Sequence, residues 1–236
     1  MKPVVIIQFS PTEGPGHCAE FLTKHGIPWK LVRIDQRDPL PRDTTEFSGM
    51  VMMGGPMSVN DPLPWIPQLQ TLMREAVQKD VPLLGHCLGG QFIATALGGS
   101  VTNNHCKEMG WHEVRIEGGE AARPWFGDRA GFTTFQWHYQ TFSIPPQTTR
   151  VLGSRWCANQ AFVLGPHIAF QSHIETTAAM VRAWLSADAA EVEAAASADS
   201  VQSPDEMLRE LEANVAALNR VAEGVYGHWI KGLKCE

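Results

Sequence analysis

The sequence predicts an α/β protein: a doubly wound, mostly parallel sheet with flanking helices and a mixed or antiparallel extension. Three observations lead there. Over the first hundred residues, short apolar runs too continuous for half-buried strands alternate with helix-period segments. From about 110 to 172 the alternation gives way to short strand-like pieces between Pro and Gly turns. The last fifty residues read as helix.

Val4 to Phe9, bounded by "SPTEGPG", suits a strand buried on both faces. A helix over about 17–25 and a strand at "WKLVRID" complete a βαβ unit. The polar, proline-bearing "QRDPLPRDTTEFSG" is a loop before the strand "MVMMGG". Helix 65–79, strand "VPLLG" and helix 88–97 continue the series. The pieces "GWHEVRI", "RVLGS", "QAFVLG" and "HIAFQS" supply the extension.

An Ala/Glu/Ser-rich stretch, 186–200, precedes "SPDEMLRELEANVAALNRVAEGVYGHWI". Ser203 as N-cap, Pro204 at the first helical position and Glu206 three residues on form a capping box. Leu208, Leu211, Val215, Leu218, Ala222, Val225 and Trp229 recur at 3,4 spacing as one apolar stripe. Docking on the flank of its own domain is the expectation, with a homodimer contact as the alternative.

At 236 residues the chain can bury a substantial core without disulfides. A net charge of -6, with no Lys/Arg cluster interleaved with aromatics, argues against nucleic-acid binding. Five cysteines at 18, 87, 106, 157 and 235 make no CxxC pair, as expected of reduced thiols in a cytoplasmic protein. The opening "MKPVVIIQFS" is too brief for a membrane span and has no small-residue cleavage site, so it reads as a first strand.

The chemistry concentrates at "GHCLGGQ", residues 85–91. Gly85-His86-Cys87-Leu88-Gly89 has the G-x-nucleophile-x-G spacing of a strand-to-helix elbow, which lifts its central side chain above the carboxyl edge of the sheet. The positive end of the following helix favours thiolate there. The alternative, a small buried apolar cysteine, suits Cys18, Cys106, Cys157 and Cys235, which lack this frame.

A thiolate attacking a carbonyl needs an acid/base, and "HIAFQSHIE" carries His173 to the same edge. Residues two apart in an extended chain share a side, so Glu175 can orient the His173 ring. Backbone N–H groups of Gly55, in "MMGGP", and of Leu88 are the candidate oxyanion donors. No metal or cofactor is called for.

These blocks resemble the class I glutamine amidotransferases, in the stand-alone branch similar to the glutaminase domain of GMP synthase. The resemblance rests on "GHCLGGQ", "MMGGPMSVND", "ALGGSV", "EMGWHEV", "FQWHYQTFSIPP", "NQAF" and "QSHIE" in order, over about 3–185. It implies a flavodoxin-like catalytic domain over 1–185, with 186–236 as a helical extension packed on it. It also implies that Cys87 attacks the glutamine amide and forms a γ-glutamyl thioester, while His173 protonates the ammonia. Gly54, Gln91, His138 and Tyr139 would hold the substrate.

Tyr139 and Gln140 stand where the family often has a glycine and an acid, Ile174 where proline is common, and Ser172 where an aromatic is frequent. The first pair favours a second reading, a hydrolase of other γ-glutamyl compounds. A third is a redox-sensing cysteine on the same scaffold. The chain has no SGG-type ATP-pyrophosphatase loop and no GxxxxGK phosphate loop. A synthetase subunit would therefore act in trans, or ammonia would simply be released.

Overall fold

The computed structural model describes residues 1–234, so Cys235 lies outside the described residues. The strands are β1 (Val4–Gln8), β2 (Trp29–Arg33), β3 (Gly49–Met52), β4 (Leu83–His86) and β5 (Val101–Ile116). They are followed by β6 (Gly131–Phe142), β7 (Thr149–Ser154), β8 (Ala161–Leu164) and β9 (His167–Phe170). All lie in one sheet, in the order β2-β1-β3-β4-β9-β8-β7-β5-β6. The block β2-β1-β3-β4-β9 is parallel throughout, and β8, β7, β5 and β6 add the antiparallel extension.

Unbroken apolar runs form the central strands because both faces of the sheet are covered. On β1, Val4 and Ile6 join one core cluster while Val5 and Ile7 join the other. This is the period-2 alternation of a strand between two layers. Helices α1 (Gly16–Lys24), α4 (Arg123–Phe126) and α8 (Leu211–Trp229) help cover the first face with Phe21, Leu22, Phe126, Leu218, Val225 and Trp229. Helices α2 (Ile66–Gln78) and α3 (Leu88–Ala96) cover the second with Leu69, Met73, Phe92 and Ile93. Each such side chain contributes roughly 1.5–3 kcal/mol of burial.

Four differences from the sequence reading are physical. Strand β5 is 16 residues long and pairs along its length with the unexpected β6, around a register shift between Asn103 and Glu108. Its polar first half hid it. Strand β9 stops at Phe170. His173 instead makes a single bridge to Phe135, and α5 (Ala178–Ala187) begins after Thr177, whose side chain caps Met180 N–H.

The Ala-rich stretch contains α6 (Ala189–Ala195). The capping box at Ser203 and Glu206 is present, but the helix it opens, α7 (Pro204–Leu208), ends at once. Glu210 is left-handed at φ 54°, so α8 starts afresh at Leu211. Leu208 is thereby 36% exposed and leaves the stripe, whereas Leu211, Val215, Leu218, Ala222, Val225 and Trp229 are buried. Among the described residues no helix is long and apolar enough to cross a membrane.

Candidate active site

Strand β4 ends at His86 and α3 begins at Leu88, so Cys87 alone makes the turn, at φ 49° and ψ −109°. A non-glycine residue persists there only because its surroundings impose it. A Cβ on Gly85 would lie 2.5 Å from the Gly89 carbonyl carbon, and one on Gly89 2.3 Å from the Met52 carbonyl oxygen. Glycine at both positions lets β4, α3 and β3 close around the turn. The Gly89 N–H donates to the Met53 carbonyl at 3.0 Å, while the Gly55 and Leu88 N–H groups meet no acceptor among the described residues.

The segment after β9 brings His173 and Glu175 to this edge. The His173 backbone N–H donates to the Phe135 carbonyl at 2.9 Å, and the ring Nδ1 lies 2.7 Å from Glu175 Oε1. The Cys87 side chain lies close enough to the ring to act on its charge, and with Nδ1 held by Glu175, Nε2 is the nitrogen left for it. Burial acts to lower the His173 pKa. The Glu175 carboxylate and the Cys87 sulfur outweigh it and hold the ring well above the ordinary imidazole value. Burial likewise acts to raise Glu175, and the flanking imidazoles with the His173 hydrogen bond keep it below its usual range.

Glu175 has a second imidazole against it, with His86 Nδ1 3.1 Å from Oε2. Burial pushes His86 down to about 4, so it stays neutral at neutral pH. The Glu175 carbonyl accepts from the His17 N–H at 3.0 Å, which pins the start of α1 to the same residue.

Gln91 is buried, and its side-chain amide donates to Gln171 Oε1 at 3.3 Å. The Gln171 amide in turn donates to Cys87 Sγ at 3.7 Å, and the thiol faces the Trp137 carbonyl at 4.0 Å. Gln171 precedes His173 by two residues, so the same-side rule that found Glu175 also points to it.

Gly54 floors the site: a Cβ there would lie 1.7 Å from Glu13 Oε2 and 2.8 Å from His173 Cε1. Glu13, from the β1–α1 loop, is thus a site residue that the loop's turn-forming composition had concealed.

These groups open on a cavity of about 130 Å³ lined by Glu13, Gly55, Cys87, Leu88, Gln91 and Tyr139, among others. Lys107, Asp188 and Glu191 also reach its wall, with Lys107 Nζ 2.7 Å from Glu191 Oε1. Tyr139 is 48% exposed, and Lys107 Nζ lies 5.9 Å from its ring centroid.

His138 lines the cavity, but both ring nitrogens are engaged: Nδ1 with the Gln140 carbonyl at 3.0 Å and Nε2 with Glu108 at 3.2 Å. Glu108 also accepts from Ser154 and Gln160, each at 2.8 Å. Glu108, His138 and Cys157 place ligand-type atoms within 4.8 Å of one another. The carboxylate's partners are a complete hydrogen-bond set, so this cluster reads as a structural network. Burial pushes the Cys157 thiol up to about 11 and Cys18 higher still, unlike a reactive thiol.

A strained cysteine on an α/β sheet edge, beside an imidazole–carboxylate pair and two free N–H groups, is the site architecture of a cysteine-dependent acyl-transfer enzyme. The sequence profile of class-I glutamine amidotransferases matches residues 18–179, and the chain belongs to that family.

A crystal structure of a glutamine amidotransferase from Methylobacillus flagellatus superposes with a TM-score of 0.96 at 51% identity, covering 100% of this chain and 97% of that one. One from Thermotoga maritima gives 0.86 at 26% identity, with 98% of each chain covered. The glutamine amidotransferase-like protein YfeJ of Salmonella typhimurium is 27% identical over 70% of this chain and 72% of its own length. A glutamine-hydrolysing GMP synthase of Herminiimonas arsenicoxydans is 38% identical over 39% of this chain. That match spans only 16% of the synthase.

Proposed function

We propose that this chain hydrolyses the side-chain amide of glutamine through a γ-glutamyl thioester on Cys87. The observation that carries the reading is the connected line Cys87–His173–Glu175, with the Gly55 and Leu88 N–H groups unengaged beside it. Cys87 Sγ adds to the amide carbonyl carbon, and the two N–H groups receive the oxyanion. The C–N bond breaks as His173 Nε2 delivers its proton to nitrogen, and ammonia leaves. A water then attacks the thioester, giving its proton to His173 and yielding glutamate and the free thiol. Glu175 keeps the proton-bearing Nδ1 aimed and stabilises the imidazolium.

Ammonia would pass to a synthetase subunit in trans or be released. Tyr139, a half-exposed residue of the cavity lining, favours a second reading, hydrolysis of γ-glutamyl peptides, because an exposed lining side chain offers a larger leaving group contact toward solvent. Glutamine, γ-glutamyl dipeptides and glutathione, assayed with wild type and Cys87→Ala, decide between them. Saturable ammonia release from glutamine, abolished by Cys87→Ala, supports the first reading. Turnover of γ-glutamyl peptides alone supports the second.

A further inference from the structure

The line of three residues leaves unexplained Glu13, a buried acid on the cavity wall. Glu13 sits on the loop leaving β1 at the carboxyl edge of the sheet, where open α/β sheets bind ligands. Its Oε2 is enclosed and has no hydrogen-bond partner among the described residues, a costly arrangement for a buried acid. Loop and ring share a support: the Trp184 indole N–H donates to the Thr12 carbonyl at 3.1 Å, and its ring lies 4.9 Å from the His173 ring. Glu13 Oε2 and His173 Cε1 both come within 3 Å of the point a Cβ on Gly54 would occupy. Cε1 adjoins Nε2, so the unpartnered oxygen borders the place where a proton is handed to the departing nitrogen.

We propose that Glu13 is the leaving-group acceptor of this site, its carboxylate oxygen taking an N–H of the amide nitrogen as His173 protonates it. The inference rests on the amide-hydrolase reading. A primary amide nitrogen carries two N–H groups, and as ammonia departs at least one faces away from His173 and toward Glu13. An ester leaving oxygen has none to offer. Glu13 therefore favours nitrogen leaving groups, and it opposes rebinding of the product by repelling the new γ-carboxylate of glutamate.

The ionised carboxylate is the stronger acceptor, because both oxygens accept and the hydrogen bond is charge-assisted. Burial raises the Glu13 carboxyl to about 7, against the opposing pull of His173, with Glu175 and Asp188 adding to the rise. Lys107, Glu191 and Cys87 also line the cavity. Amide turnover relative to ester turnover should therefore climb with pH through about 7.

The test compares glutamine with the γ-methyl ester of glutamate in wild type, Glu13→Gln and Glu13→Asp. Glu13→Gln is expected to lose roughly 10- to 100-fold in kcat/KM on glutamine, about the worth of one hydrogen bond to a charged group. On the ester it should change by less than about 3-fold, and the pH-dependent rise in the amide-to-ester ratio should vanish. Glu13→Asp, which keeps the acid, should show the same selective loss in milder form. Parallel loss on both substrates in both variants, or no loss on either, would overturn the inference. Wild type that turns over neither substrate and does not acylate Cys87 would reject the hydrolase reading and this inference together. Normal wild-type turnover with unselective variants rejects this inference alone.

Discussion

Two buried histidine–carboxylate pairs reach the lining of the cavity, one through His138 itself and the other through the Cys87 beside its imidazole, and they differ in what surrounds them. In the antiparallel extension, Glu108 is met by His138, Ser154 and Gln160, and the second His138 nitrogen is taken by the Gln140 carbonyl. At the edge of the parallel block, His173 holds Glu175 through Nδ1 and has the Cys87 side chain against its ring, His86 Nδ1 and Glu175 Oε2 face each other at 3.1 Å, and Glu13 Oε2 has no hydrogen-bond partner among the described residues. The first pair is a closed network that fixes strand geometry. The second has a cysteine against its imidazole and an unpartnered Glu13 oxygen near its ring. Burial is common to both His–Glu pairs, so burial alone does not tell them apart.

Substitutions that separate the two pairs give the largest effects. Cys87→Ala should abolish amide hydrolysis, by about 10⁴-fold or more in kcat, with an unchanged circular dichroism spectrum. Glu175→Gln should cost roughly 10³- to 10⁴-fold in kcat, by analogy with the orienting acid of other triads, with a small change in Tm. Removing the corresponding acid of the other pair should do the reverse. Glu108→Ala strands His138, Ser154 and Gln160, and is expected to lose about 3–5 kcal/mol of stability, on the order of 10 °C in Tm. Its kcat on the folded fraction should fall far less than that of Glu175→Gln, as steady-state assays well below the melting range would show.

Glu13 adds a pH-dependent contrast. Its carboxyl titrates near 7 in the fold against 4.5 as its ordinary value, so the folded state holds a proton that the unfolded chain releases. The stability that proton confers is complete below about 4.5 and is lost as pH rises through 7. Thermal melts should show Tm of Glu13→Gln rising relative to wild type from pH 5 to pH 8 by roughly 4–8 °C, on the order of 2 kcal/mol. A Tm difference independent of pH would mean the carboxyl is not confined as described. Smallest of all, Ser203→Ala removes the α7 cap and should cost about 1 kcal/mol with no change in turnover.

The parallel block was legible because its rules are local. Continuous apolar runs mark strands covered on both faces, and glycines at 85 and 89 mark the close crossing at Cys87. Glu175 was found by the same-side rule, and the capping box by its spacing. What escaped depended on contacts distant in sequence. The polar start of β5 becomes strand only by pairing with β6. The stripe on the last helix lost Leu208 to a left-handed Glu210 that no periodicity signals. His138 lines the cavity as its motif led one to expect, but the Glu108 that holds its ring lies thirty positions earlier and no local rule joins the two. Glu13 lay in a loop whose prolines and glycines drew attention to the turn and away from the acid.

The central claim is that Cys87 is acylated, and mass spectrometry of the intact protein with peptide mapping tests it most directly. Treated with a diazoketone analogue of glutamine, the wild-type chain should gain one covalent adduct located on Cys87, with labelling strongly slowed in His173→Ala and absent in Cys87→Ala. Labelling that spares Cys87, or that proceeds equally well without His173, would contradict the account.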